Sequence, residues 1–419
     1  MIPFSSLALR ALCAVLVMSA AGAALGKWGS RTGPRVALQG VLTLAVLELL
    51  AVGNMWQVPE IPHVRSATVP VPTDPPVWVH PVSMPVDGLE GPRPDGERRV
   101  LFVGDSFTQA QGVQPPDTFP TLVGEALGVR AINTGQCGQS FLDEVVLYAD
   151  SGWRTSPDAV VWVFVLNDLG LNLGQRSGKN DFIMDRSSDG APLSFALHAA
   201  VEAVRSRGTT AATTQAYLDV AARTDALDAV EAALRPLVSE VEGRGGRFLF
   251  TIFPLMHELD AYPFQPVHDA LAARAEAAGA EVLDLAPTFA GRDEAALWVH
   301  PMDHHPNEAA HALAAEAIVA ALGTLPASAP VSCDDTPRLP GEAPERYTLR
   351  QAICERPADP EVWLQWAAWW ADNDVRSELR PVQQRRFRRH GVGTAWLLTP
   401  EGEREALLPR IQAVVRSTR

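Results

Sequence analysis

Basic residues are in short supply. Thirty-five lysines and arginines face 49 aspartates and glutamates, a formal net charge of −14 over 419 residues. A general nucleic-acid binder carries a basic footprint, so this balance argues against that class. Cysteine is scarce as well: Cys13, Cys137, Cys333 and Cys354 follow no metal-binding spacing. The H-E-x-x-H pattern of a helical zinc site does not occur. What remains is a globular composition, 47% hydrophobic and 20% charged, in a chain too long for one ordinary domain.

Two apolar stretches open the chain, residues 11–26 and 36–53, each near the length needed to span a bilayer. Lys27, Arg31 and Arg35 lie between them and favour the cytoplasmic side. Residues 1–56 are therefore expected to form a transmembrane hairpin in the inner membrane, leaving the rest extracytoplasmic. A cleaved signal peptide at the first stretch, or two buried helices, are the alternatives. Cys333 and Cys354 lie close in sequence, and a disulfide between them would suit an oxidising compartment.

Residues 57–97 are rich in proline and read as an extended linker. From Arg98 the pattern changes. The runs "RVLFVGD", "VRAIN", "AVVWVFVLN", "RFLFTIF" and "AEVLDLA" read as buried strands, with alanine-rich amphipathic stretches between them at residues 213–242 and 266–278. Alternating strands and helices predict a parallel sheet covered on both faces, over residues 98–325. A polar insertion at 172–212 interrupts the rhythm as a substrate-shaping loop would. Residues 326–419 are expected to be a small helical module. Trp363, Trp366, Trp369 and Trp370 there have helical spacing and read as packing, with partner docking as the alternative. Arg385, Arg386, Arg388 and Arg389 read as a solvated helix face, or as a contact for anionic lipid.

Four strand ends carry the chemistry. The first stops at Gly104-Asp105-Ser106, presenting a hydroxyl at the sheet's carboxyl edge, where open α/β sheets bind ligands. "NTGQCG" follows the second strand, and Gly135 and Gly138 let backbone amides approach closely. The third strand ends on Asn167-Asp168, offering an uncharged donor. "HPMDHHPNEAAH" places Asp303, His304 and His305 before the last helix, where histidine can act as a base oriented by a carboxylate. Ordinary turn chemistry explains each block taken alone. A metal site from His300, Asp303, His304, His305 and His311 is a weaker alternative. In extended backbone, Asp303 and His305 share a face and His304 points away; a turn there would leave His304 equally eligible.

Taken together the four blocks resemble the GDSL/SGNH hydrolase family: "FVGDSFTQAQGV", "NTGQCG", "VLNDL" and "MDHHPN", over about residues 98–323. The resemblance is strongest to bacterial membrane-associated members reading GDSFT and D-x-H-P-N. It implies an α/β fold, a three-layer α/β/α sandwich with a parallel sheet, and no cofactor or metal. It implies catalysis by Ser106, His305 and Asp303, with an oxyanion hole from the Ser106 and Gly138 amides and the Asn167 side chain. Three positions depart from the family pattern: Phe107 for leucine, Val165 for glycine, and one residue between Asp303 and His305 instead of two. The implied activity is that of a serine esterase or acylhydrolase on carboxylic esters. O-acyl transfer to a glycan is the second expectation, and a non-catalytic membrane-tethered scaffold the third. The partners expected are an ester or acylated-glycan substrate and the membrane, with no nucleic acid; the sequence names no protein partner for the C-terminal module.

Overall fold

The structure, a computed structural model, describes residues 69–73, 77–79, 93–169, 214–215, 217–219, 224–300, 303–373 and 381–416. Both N-terminal apolar stretches, much of the proline-rich linker and the 172–212 insertion lie outside these residues. No described helix is long and apolar enough to cross a membrane.

Part of the proline-rich stretch is described. Two short strands, β1 (Val69–Val71) and β2 (Val77–Val79), pair antiparallel within it. The five runs expected as strands follow: β3 (Arg99–Gly104), β4 (Arg130–Asn133), β5 (Ala159–Val165), β6 (Arg247–Phe253) and β7 (Glu281–Asp284). They form one sheet in the order β4-β3-β5-β6-β7, with every neighbouring pair parallel. All seven residues of β5 are buried. A central strand covered on both faces has no polar side to show, which is why "AVVWVFV" does not alternate.

Helices supply the covering layers. After β3 comes one turn, α1 (Ser106–Gln109), then α2 (Phe119–Leu127), α3 (Phe141–Asp150), α4 (Thr224–Gly243), α5 (Gln265–Ala277), α6 (Ala286–Phe289) and α7 (Glu308–Leu322). Alternate side chains divide the sheet. Val100, Phe102, Val161 and Val163 join Phe119 and Val123 of α2 and Ala310, Ala314 and Ile318 of α7 in one core. On the other face Trp162 packs against Phe141 and Tyr148 of α3. Trp162 is fully buried, and truncating it to alanine would cost about 3–5 kcal/mol.

The topology fixes where a ligand can sit. From β3 the chain steps outward to β4, then crosses back to β5 on the other side of β3. Adjacent loops diverge at the carboxyl ends of β3 and β5, and the crevice between them is the usual site in open α/β sheets. Ser106 follows β3 and Asn167 follows β5. Between β7 and α7 lies an antiparallel hairpin, β8 (Trp298–His300) and β9 (Asp303–Pro306).

The C-terminal segment carries the helices α8 (Pro344–Glu355), α9 (Pro360–Asp372), α10 (Pro381–Leu398) and α11 (Arg404–Arg416). It belongs to the same compact unit as the sheet. Buried arginines dock it: Arg346 pairs with Asp150 at 3.1 Å, and Arg350 donates to the Ala149 carbonyl at the end of α3. Trp363, Trp366 and Trp370 are buried, with His390 of α10 edge-on to Trp363, so the tryptophan stripe is packing. Cys333 and Cys354 form a disulfide. At the amino end of the sheet, Asp158 accepts from the Arg93 guanidinium at 2.6 Å and from the Arg99 and Ser328 amides, each at 2.8 Å. One carboxylate thus ties the segment preceding the sheet to the segment following it.

Candidate active site

Ser106 opens α1, directly after the buried strand β3. Asp105 caps this turn, accepting the Phe107 amide at 2.8 Å on one oxygen. Its other oxygen accepts the Asn167 side-chain amide at 2.7 Å and lies 3.3 Å from the Ser106 hydroxyl. Asp105 is fully buried, and these donors compensate the cost of holding it there. One acid therefore shapes the serine turn and aims the asparagine. Neither role was legible in the sequence, where Asp105 is only the acid before the serine.

Asn167 lies in the 3-10 turn Leu166–Leu169 that ends β5. Asp168 closes the turn by accepting the Val165 amide at 2.7 Å. Valine serves at position 165 because it is the last buried strand residue. The "NTGQCG" loop is equally determined. Asn133 donates to the Thr108 carbonyl at 2.7 Å and accepts the Gly135 amide at 2.9 Å, clasping this loop to the serine turn. A Cβ on Gly135 would come within 2.3 Å of the Gln109 nitrogen, so only glycine allows this approach. Gly138 lies further along, with φ at +74°.

β9 brings the last block to the serine. His305 Nε2 is 2.8 Å from Ser106 Oγ, and His305 Nδ1 hydrogen-bonds Asp303 Oδ1. Asp303 also accepts the His305 backbone amide at 3.2 Å and, on Oδ2, the Gln111 side chain at 3.2 Å. Burial alone would push the Asp303 carboxyl up. The His305 ring and its backbone amide, with the Gln111 amide, outweigh that and hold it below the ordinary carboxylate value. An imidazole between a carboxylate and a hydroxyl can take the hydroxyl's proton and return it.

The hairpin is anchored by Asn307, which caps α7 by accepting the Ala309 and Ala310 amides. Its amide donates back to the carbonyls of Ala296 and Trp298. Of the alternative metal set, Asp303 and His305 are bound to each other beside Ser106. His304 stacks on Trp298, while His311 is buried against Phe119 and accepts its amide at 3.1 Å. Burial, then the nearby His305, push the His311 ring down to about 3. Among the described residues no group of three or more histidine, cysteine or acidic side chains could hold a metal ion.

A family model for the GDSL-like lipase/acylhydrolase family matches residues 102–313, half of the chain, from β3 into α7. This chain belongs to that family. As a GDSL-like acylhydrolase it is a hydrolase acting on ester bonds. Comparison with curated proteins gives no match. Among solved structures it is similar to an α/β hydrolase from the metagenome of Lake Arreo, Spain. There the identity is 18% and the TM-score 0.36, covering 55% of this chain and 97% of the other. It is also similar to a putative lipolytic protein of the G-D-S-L family from Desulfitobacterium hafniense. That match has 14% identity and a TM-score of 0.31, over 53% of this chain and 98% of the other. A catalytic mutant of an acetylxylan esterase from Geobacillus stearothermophilus matches at 18% identity and a TM-score of 0.35, over 55% and 95%.

Within the GDSL-like domain, Ser106, His305 and Asp303 meet directly, and Asn167 is joined to them through Asp105. Gly138 lies in the loop after β4. Besides those of Asp105, the contact of Gln111 is one that sequence reasoning missed. The motif quoted for the serine block contains it, and nothing local signals that its amide reaches a strand 192 residues away.

Proposed function

We propose that this chain is a serine esterase working through an acyl-enzyme on Ser106. The observation that carries the reading is the 2.8 Å contact between His305 Nε2 and Ser106 Oγ, with Nδ1 of the same ring on Asp303. The hydroxyl proton passes to Nε2 as Oγ attacks the ester carbonyl. Asp303 stays ionised and steadies the imidazolium. The carbonyl oxygen, now an anion, is received by the Ser106 and Gly138 amides and by Asn167 Nδ2. An amide nitrogen carries two protons; one of Asn167's goes to Asp105, and the second faces the oxyanion. His305 then protonates the departing alkoxide, leaving acyl-Ser106. Water, activated by the same imidazole, releases the acid and restores the serine.

If the acceptor is a sugar hydroxyl in place of water, the same intermediate gives O-acyl transfer. We place the domain outside the cytoplasm, behind a membrane hairpin in residues 1–56. The Cys333–Cys354 disulfide supports an oxidising compartment, and the basic residues between the apolar stretches support the topology.

The test uses the purified full chain with a short-chain aryl ester, with and without an oligosaccharide acceptor. Free acid release that Ser106→Ala abolishes is the expected result. Acyl-sugar formation that depends on the acceptor would replace hydrolysis by transfer. Wild-type turnover by Ser106→Ala would overturn the acyl-enzyme.

A further inference from the structure

We infer that Gln111 is a positioning residue that fixes the Asp303 carboxylate for His305, an assignment that rests on the serine-esterase reading above. A carboxylate that orients a catalytic imidazole has two oxygens to satisfy. In Asp303, Oδ1 takes both contacts from His305, the ring nitrogen and the backbone amide. Those contacts alone leave the carboxyl group able to rotate about its bond to Cβ. The Gln111 amide on Oδ2, at 3.2 Å, supplies the second point that fixes its plane.

Gln111 is itself held from three directions. Its backbone amide donates to the Ser106 carbonyl at 3.1 Å, so it moves with the serine turn. The following Gly112 has φ at +89°, and a Cβ there would meet Val299 of β8 at 2.8 Å, so the turn lies directly on the histidine hairpin. Its side-chain Oε1 accepts the Cys137 thiol at 3.4 Å. That contact fixes which way the amide faces: an ionised carboxylate only accepts, so the nitrogen must be the atom turned to Asp303. With 7% of its surface exposed, the side chain has little room to swing. Gln111 therefore joins the serine turn, the "NTGQCG" loop and the histidine hairpin. The titratable groups around this junction are His305 and Asp303 on β9, Asp105 before α1, the Cys137 thiol, and His311 on α7.

The glutamine contacts no reacting atom, so its loss should act on turnover and leave substrate binding alone. Losing a hydrogen bond to a charged group predicts that Gln111→Leu lowers kcat roughly 10- to 100-fold, with KM within about twofold. Gln111→Glu has nearly the same shape but sets a second carboxylate against Asp303. Added negative charge favours holding a proton on the Asp303–His305 pair. The acid limb of its kcat profile should therefore move to higher pH by about one unit, which a purely structural role would not produce.

Both variants are measured in the full chain beside Ser106→Ala, with thermal melting as a check on folding. An active Ser106→Ala removes the esterase reading itself. An inactive Ser106→Ala, together with wild-type kcat in Gln111→Leu and an unmoved acid limb in Gln111→Glu, overturns the role of Gln111 and leaves that reading standing. Should Gln111→Leu fail to fold, the pH profile of Gln111→Glu decides alone.

Discussion

His304 lies flat against Trp298, with ring centroids 3.9 Å apart and planes inclined by 15°. The next residue along β9, His305, faces Ser106 at 2.8 Å. Successive side chains on a strand point to opposite sides, so the two histidines have different work. His305→Ala is expected to lose activity as severely as Ser106→Ala. His304→Ala removes an aromatic contact with Trp298 and should slow turnover only slightly. Rates on one aryl ester for the three variants test this, and an inactive His304→Ala beside an active His305→Ala would reverse the assignment.

Asn167 offers a graded prediction. As one donor among three in the proposed oxyanion hole, its replacement by alanine should cost about 3 kcal/mol, on the order of a 100-fold loss in kcat. The loss should fall on kcat more than on KM, because the oxyanion exists only beyond the ground state. An equal loss in Ser106→Ala and Asn167→Ala would mean that Asn167 holds the serine turn through Asp105, and is not an oxyanion donor.

Acid should destabilise the fold through His311. Its folded value is about 3, against about 6.5 for an unfolded histidine. Between those values the unfolded chain takes up a proton that the folded chain refuses. Stability therefore falls as the pH drops from about 6.5 towards 3, by at most about 1.4 kcal/mol per pH unit. Asp303 acts in the same direction at lower pH. Its depressed value makes a contribution that is present above the ordinary carboxylate pKa of about 4 and is lost as the pH falls through the folded value. Melting temperatures from pH 7 to pH 4 should drop more steeply for the wild type than for His311→Gln. Parallel slopes would show that His311 takes no part.

The Cys333–Cys354 bridge closes a loop across a sequence separation of 21, a length for which about 3 kcal/mol is expected. Reduction should lower the melting temperature by several degrees. Turnover at 25 °C should not change, since the bridge secures α8, which docks at the end of α3 and away from Ser106. Loss of activity while the chain stays folded would link the C-terminal segment to catalysis.

What the sequence made legible was what repeats or concentrates. Five apolar runs gave the five strands, because a sheet buried on both faces needs unbroken hydrophobic segments. Ser106, Asp303 and His305 stood out only because four blocks occur together at separate strand ends; turn chemistry accounts for each block alone. The pairing of β8 with β9 escaped, since "WVH" and "DHHP" are not the apolar runs that marked the five sheet strands, although extended backbone at Asp303–His305 was one of the two readings. Gln111 and Asp105 escaped for another reason. Their partners lie across chain separations of 192 and 62 residues, and only the folded sheet brings them together. His311, an alternative metal ligand by sequence, proved to be a core side chain stacked on Phe119.

Asp158 gives the domain a direction. It binds Arg93, where the chain arrives, and Ser328, where it leaves for the C-terminal helices. Both sit at the amino end of the sheet, whereas the reacting hydroxyl stands at the carboxyl end. The segments entering and leaving the sheet are thus joined on the edge opposite the reacting hydroxyl, so a change at that junction is expected to act on stability and spare the chemistry.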